Sequence, residues 1–245
     1  MVWSLLTKEA NVITSPKYSD KGYSFRSDGR YFAIAEKEKG KEYVSIYDTI
    51  DWTVTKVVIK LNTQRWPTDT VDLENLCWSP DGRFIAVWES HMEYKIIIYY
   101  PDGRLVSSYS AYDFGLGIKS VTWSPSSQFL VVGSYDQKVR FLNYYTWKPL
   151  IEYSHPNNIT ATDVLIYKEV ACQDFKELAA VSSWTHLNSS SEKIRYFMTA
   201  GPIRVPSVKA DKEKPYPKIG VSIAKFNSDG RYLATKNGNF LHNRR

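Results

Sequence analysis

Four histidines, two cysteines and one glycine-rich string are the parts of this 245-residue chain whose side chains could carry chemistry. His91, His155, His186 and His242 are the available imidazoles, but they lie far apart and none has the paired spacing that closes a metal shell. Cys77 and Cys172 form no CxxC pair, so neither a zinc site nor a disulfide framework is expected, and a reducing setting fits better. Gly115-Leu116-Gly117-Ile118-Lys119-Ser120 has the residue types of a phosphate loop. It lacks the G-x-x-x-x-G-K spacing that would turn successive backbone N–H groups onto a phosphate, and reads instead as a connection eased by glycine. A serine hydrolase would need G-x-S-x-G, and no such string occurs. The reading is of a chain that is not an enzyme, with no metal and no cofactor.

Residues suited to binding are more plentiful. Aromatics make up 15% of the chain, with 8 Trp and 18 Tyr, a richness that favours pleated, half-buried surfaces. Trp66, His91, Met92, Tyr112, Phe114 and Tyr135 fall between apolar runs, where connections are expected, and Tyr, Trp and Met are enriched in protein interfaces. The formal charge is +6, but there is no arginine-rich run and no RNA-binding aromatic motif, so nucleic acid is not the expected partner. No apolar run approaches the roughly 18 residues of a membrane span. The cluster Val2 to Leu6 is too short for a signal-peptide core of about 7–15 residues, and the sequons at Asn158 and Asn188 carry little weight without one.

The elements that must position these residues are announced by a repeat. An aromatic, a turn and an apolar run recur in Phe25-Arg26-Ser27-Asp28-Gly29-Arg30-Tyr31-Phe32, Trp78-Ser79-Pro80-Asp81-Gly82-Arg83-Phe84-Ile85, Trp123-Ser124-Pro125-Ser126-Ser127-Gln128-Phe129-Leu130 and Phe226-Asn227-Ser228-Asp229-Gly230-Arg231-Tyr232-Leu233. Proline presets φ, glycine accepts positive φ, and the apolar run that follows suits a strand buried on both faces. The first three anchors are spaced at about one propeller blade of 40–45 residues, the first gap with longer loops, and the last gap is far longer. Within each repeat further strands are predicted: Glu42 to Tyr47 and Trp52 to Ile59 in the first, Tyr94 to Tyr99 and Leu105 to Tyr109 in the second, Lys138 to Leu142 and Trp147 to Tyr153 in the third. The anchors Phe25, Trp78, Trp123 and Phe226 are expected in the core, Cys77 beside them as a small buried residue, and Asp136 as an acceptor of backbone N–H bonds in its turn.

The fold expected is all-β: a partial WD40-type β-propeller of three complete four-stranded blades and two partial ones, an open ring. Residues 1–155 would hold a partial blade and three whole ones. Residues 156–217 would be a long inter-blade insertion, partly disordered, with order at Val164 to Val170 and Ile194 to Met198 or, as an alternative, a hidden degenerate blade. Residues 218–245 would begin a further, truncated blade. An unclosed ring exposes sheet edges, so the sequence is expected to be a fragment, a splice form or an incomplete gene product. On this plan the connections between blades and the turns between second and third strands share one face. That face would gather Arg65-Trp66-Pro67, Ser90-His91-Met92, Tyr112-Asp113-Phe114, Tyr135 and His155.

The loops carry a narrower likeness. Glu93-Tyr94-Lys95-Ile96, Ser108-Tyr109-Ser110-Ala111-Tyr112, Leu116-Gly117-Ile118-Lys119-Ser120-Val121, Gly133-Ser134-Tyr135-Asp136 and Pro217-Lys218-Ile219-Gly220 resemble the WD repeat-containing protein eight family, the p53-antisense-like WD-repeat proteins of centrosomes and spindle poles. The resemblance covers nearly the whole chain and implies a scaffold in the cytoplasm and cytoskeleton, at the centrosome or spindle pole body. It implies a coiled-coil anchoring adaptor and a minus-end-directed kinesin as partners, and a role in anchoring microtubule minus ends for spindle assembly. Family members are longer at both ends. The competing expectation is a propeller adaptor of a ubiquitin ligase or of RNA or translation machinery.

Overall fold

The computed structural model describes residues 1–5, 7–50, 52, 65–160, 164–171, 184–187, 193–199, 202–206 and 217–238. Every regular element among them is a strand. In chain order β1 (Val2–Trp3) pairs with β2 (Ala10–Asn11). Blade one is β3 (Tyr23–Phe25), β4 (Tyr31–Glu38), β5 (Lys41–Asp48) and β6 (Arg65–Pro67). Blade two is β7 (Leu73–Trp78), β8 (Ile85–Glu89), β9 (Ile96–Tyr99) and β10 (Leu105–Tyr109). Blade three is β11 (Ile118–Trp123), β12 (Phe129–Ser134), β13 (Lys138–Asn143) and β14 (Pro149–Ser154). All three are antiparallel meanders in which neighbours in sequence are neighbours in the sheet.

The chain divides into two units, Met1–His155 with Ala210–Asn239, and Pro156–Lys209 with Phe240–Arg245. The second contains the pair β15 (Asn158–Ile159) and β19 (Ile203–Arg204) and a three-stranded antiparallel sheet. In that sheet β18 (Lys193–Thr199) lies between β16 (Ile166–Ala171) and β17 (Trp184–Leu187), with Tyr167 opposite Met198. The first unit ends in a hairpin of β20 (Val221–Phe226) and β21 (Leu233–Asn237) built from the fourth copy of the repeat. All but Trp52 of the expected strand from Trp52 to Ile59, Cys172, the string Asn188 to Glu192 and most of Lys209 to Pro217 lie outside the described residues.

The turns owe their shape to one triplet. Asp-Gly-Arg occurs at 28–30, 81–83, 102–104 and 229–231, and in each the aspartate Oδ1 accepts the arginine backbone N–H at 2.9–3.1 Å. The glycine between them sits at φ of +71° to +87°, where a Cβ would strain the chain. In the third copy Ser127 holds that conformation at +60°, and its Oγ accepts the N–H of Asp81 from the preceding blade's turn at 3.0 Å. Gly103 carries a second demand, because a Cβ there would lie 2.8 Å from Trp66 Cγ. Gly40, at φ +78°, has open space around it. Gly103→Ala should therefore cost about 2–3 kcal/mol against about 1 kcal/mol for Gly40→Ala, the difference being the steric part. Denaturant titration of both variants measures it, and equal losses would show that the indole yields freely.

The blades stack face to face, and three separate cores fill the seams. Ala33, Ala35, Val44 and Ile46 of blade one meet Leu73, Leu76, Trp78, Ile85, Val87, Ile97 and Tyr99 of blade two. Phe84, Ala86, Trp88, Tyr94, Ile96 and Ile98 of blade two meet Ile118, Trp123, Leu130, Val132, Leu142 and Trp147 of blade three. Val131 and Val139 of blade three meet Val221 and Ala224 of the hairpin. Alternate residues of one strand thus serve successive seams, which is why β8 and β12 are buried almost throughout. Lys17 closes the first seam from the side, donating to Glu42 at 2.5 Å, to Asp72 at 2.7 Å and to the Leu73 carbonyl at 2.7 Å.

Two expectations are corrected by this packing. Arg65-Trp66-Pro67 is the outer strand of blade one, paired with Tyr43–Ser45, and not a loop. Trp66 is only 8% exposed, its ring 6.0 Å from that of Tyr99 in the first seam, so it is a core residue and contributes no exposed surface for a partner. Phe25, expected in the core, is 49% exposed. Trp78 and Trp123 each face the blade before their own, and Phe226 packs half-buried on the third seam. Phe25 points the same way, while its strand neighbour Ser24 faces blade two and accepts the Trp78 N–H. On that face Phe25 and Trp52 both pack against Phe32.

A candidate partner-binding cleft at the junction of blades two and three

Three pieces of irregular chain meet above the second seam. They are the turn from β8 to β9, the connection from β10 to β11 and the turn from β12 to β13. Antiparallel meanders put all three at the same end of their blades. Backbone hydrogen bonds tie them together: Gly117 N–H donates to the His91 carbonyl at 2.8 Å, and Tyr135 N–H donates to the Gly117 carbonyl at 3.1 Å. Only glycine fits at 117, because a Cβ would stand 2.1 Å from the Glu93 carbonyl oxygen. The glycine string that looked like a possible phosphate loop is thus the place where two turns and a connection touch. Gly220, at φ +88°, brings the segment before β20 against the Ser134 carbonyl and the Tyr135 Cα, and so sets Ile219 beside them.

These pieces enclose a cleft of about 300 Å³ lined by Tyr112, Phe114, Gly115, Leu116, Tyr135, Asp136 and Ile219. Tyr112 stacks edge-on against Tyr94, ring centroids 4.8 Å apart, and donates its hydroxyl proton to the Leu116 carbonyl at 2.5 Å. Burial pushes that hydroxyl up to about 12. Tyr135 is buried in the wall, with the His91 ring 6.4 Å away and Lys119 Nζ 4.6 Å from its centroid. Lys119 in turn donates to the Ile219 carbonyl at 2.5 Å, and burial lowers its pKa. Phe114 stands at the mouth, 94% exposed.

Asp136 and Arg140 hold the floor. Asp136 accepts from Ser134 Oγ, from Lys138 N–H at 3.2 Å and from Arg140 Nη2 at 2.6 Å. Burial works to raise its pKa, but the bonds from Arg140 and Ser134 outweigh it and hold the carboxyl below its ordinary range. The Arg140 side chain is 6% exposed, donates to Ser134 Oγ at 3.0 Å, pairs with Glu152 at 2.8 Å and lies 5.4 Å from the Tyr94 centroid. Burial opposes its charge, yet the Asp136 bond raises its pKa further. His155 continues the network, bonding the Gln137 carbonyl at 3.2 Å and Thr235 Oγ1 at 2.9 Å.

Of the six residues singled out from the sequence, Tyr112, Phe114 and Tyr135 line one cleft, with His91 against it. Met92 is exposed beside His91 in the same turn. Trp66 lies elsewhere. Gly115, Leu116, Asp136 and Ile219 belong to the cleft and were not among the six. Asp136 was recognised only as a turn acceptor, and nothing in the string around Ile219 marks it. Cys77 packs against the core of the second seam, and burial pushes its thiol up to about 12.

The sequence has counterparts among known proteins. Residues 103–143, from the last turn of blade two to the end of β13, match the WD domain, G-beta repeat. The mouse protein "WD repeat-containing protein WRAP73" is 40% identical to this chain over 243 residues, an alignment covering 97% of this chain and 51% of the mouse protein. The chain therefore spans about half the length of that curated relative. Among solved structures, "Structure of Dos1 propeller" aligns with a TM-score of 0.46 and 13% identity, over 76% of this chain and 43% of that one. Residues 103–143 form a WD repeat, and the sheets beside it follow the same four-stranded plan of WD40-type propeller blades.

Proposed function

We propose that this chain is a non-catalytic WD-repeat scaffold that binds other proteins through the cleft between blades two and three. The observation that carries this reading is Phe114: a large apolar ring 94% exposed at the mouth of a cleft whose walls are fixed by backbone bonds. Burying such a ring against a partner would contribute about 2 kcal/mol. The narrower reading is a scaffold of the cytoplasm and cytoskeleton, at the centrosome or spindle pole body. There it would hold a coiled-coil anchoring adaptor, together with a minus-end-directed kinesin, to anchor microtubule minus ends. The loop strings that resemble the centrosomal WD-repeat family support it, while the 40% identity to a WD repeat-containing relative supports the broader scaffold reading.

Phe114→Ala should leave unfolding free energy within about 0.5 kcal/mol, since the ring packs on little. It should reduce recovery of partners by the tagged protein severalfold. Recovery of coiled-coil and microtubule-anchoring proteins supports the centrosomal reading. Recovery of ligase subunits or ribosomal proteins instead supports an adaptor in another assembly. Undiminished recovery of every partner removes the cleft from the account.

A further inference from the structure

Two short sheets of the first unit are complementary halves of a propeller blade, and we propose that a second copy of this chain brings them together. Among the described residues β1 and β2 pair only with each other, as do β20 and β21, whereas each whole blade has four strands. The hairpin of β20 and β21 carries the aromatic, turn and apolar run of the repeat, which in blades two and three form the first two strands. The pair β1 and β2 matches the last two. Its turn begins at Ser4, whose N–H donates to the Glu9 carbonyl at 2.9 Å and whose carbonyl accepts the Lys8 N–H at 2.9 Å. The turn from β9 to β10 does the same at Tyr100, with the Arg104 carbonyl and the Gly103 N–H, each at 2.9 Å. Lys8 and Gly103 both sit at positive φ, +63° and +87°. Trp3, directly before its turn, therefore stands where Tyr99 stands in blade two.

That equivalence shows what Trp3 lacks. Tyr99 is buried against Trp66, which lies opposite Val44 on the outer strand of blade one. Val44 pairs with Ala35, and Val139 of blade three with Gly133, each ten residues after the aromatic of its repeat. Tyr153 lies opposite Val139, so it holds in blade three the place of Trp66. The buried contact of Tyr99 with Trp66 thus has its counterparts in Trp3 and Tyr153, which are 62% and 56% exposed. Met1 and Ile151, two residues before them on the same faces, are exposed as well. The third seam runs without a break into this patch: Phe141 has the Phe226 ring 6.4 Å away and the Tyr153 ring 5.8 Å away. What the free edge of β21 and the face beside it require is a two-stranded sheet with an apolar face, and every copy carries one.

The register follows from blade two, where Ile85 pairs with Tyr99 and Ala86 with Ile98. Ile85 and Leu233 each come seven residues after the aromatic of their repeat. Leu233 of one copy would face Trp3 of the other, and Ala234 would face Val2. Within one chain the halves do not meet, since β1 and β21 belong to different sheets and both aromatics are exposed. Two copies satisfy each other. Each gives β1 and β2 and receives the other's, a head-to-tail contact that closes after one exchange. Three whole blades and one mixed blade from each copy make a ring of eight, within the range of about 4–8 blades that propellers use.

Light scattering across a concentration series should give twice the mass of one chain. Trp3→Ala and Tyr153→Ala each remove a ring that is exposed in the single chain, so folding should survive while the dimer weakens about 10- to 100-fold. Val2→Cys and Ala234→Cys would be made on separate chains with different tags and mixed under oxidising conditions. Directly opposed strand residues lie within disulfide reach, so a linked heterodimer should form that neither variant forms alone. A monomer at every concentration would overturn the proposal. So would a dimer that gives no such link, or a link that forms within one chain when both cysteines are placed together.

Discussion

A methyl group on Gly117 is expected to cost about 3 kcal/mol of stability, at the upper end of what overpacking costs. The added Cβ would lie 2.1 Å from the Glu93 carbonyl oxygen and 2.8 Å from the Tyr94 backbone nitrogen. Both obstacles are backbone, so no rotamer change relieves them. The turn of blade two must move, and the two bonds that join it through Gly117 to the turn of blade three must lengthen or break. Because those bonds shape the cleft, Gly117→Ala should impair partner binding along with stability, unlike Phe114→Ala. Denaturant unfolding and partner recovery, measured on the same preparation, check both halves. A Gly117→Ala variant of ordinary stability would mean that the two turns are not locked together here.

The second large effect is expected from Asp136→Asn. Arg140 is nearly sealed from water, and removing the carboxylate leaves it with Glu152, which is itself partly exposed. Breaking one member of a buried ion pair costs about 3–5 kcal/mol, and the surviving partner and the partial exposure of Asp136 place this case near 3 kcal/mol. The pH dependence follows from the sign of the shift. The folded-state pKa of Asp136 is depressed, so its contribution is complete above the unfolded carboxylate value of about 3.9 and is lost as pH falls through the lower folded value. The wild type should therefore lose more stability on acidification than the variant does, a difference read from urea titrations at pH 7 and in the acid limb. Parallel losses would assign the acid sensitivity elsewhere. Asp102→Asn at an exposed turn pair is the control, with an expected change under about 1 kcal/mol.

Much of this architecture could be read from residue order because its signals are local. In Ser79-Pro80-Asp81-Gly82-Arg83-Phe84, the serine Oγ accepts the Phe84 N–H at 3.0 Å and Gly82 turns at φ +71°, so the string itself determines the reversal. The uninterrupted apolar runs after each turn reflect strands that serve two seams at once. What local reading missed depends on neighbours. Phe25 and Trp78 occupy the same place in the repeat, but among the described residues only Trp78 of the two packs into a core shared with a preceding four-stranded blade. Arg65-Trp66-Pro67 is too short, and ends in a proline, so no alternation marks it as a strand, while the longer apolar run before it does look like one. Tyr112, Phe114 and Tyr135 are legible as loop aromatics, because blade topology collects those loops at one end. Arg140 was not, since its partner Asp136 lies across a hairpin turn, and Ile219 reaches the cleft from a hundred residues away from Lys119.

The three seams are unequal. Among the described residues the first and second each bury twelve, and the third, beneath β20 and β21, buries four. Stacked repeats share stability mainly with their neighbours, so a weak junction can part while the others stay closed. Ile219 belongs to the segment anchored by that thinnest seam. The cleft thus has two walls on the twelve-residue seam between blades two and three, and a third, Ile219, on the segment that leads into the four-residue seam. A ligand that touches Ile219 would clamp the last hairpin onto blade three, so binding and the completion of the stack would favour each other.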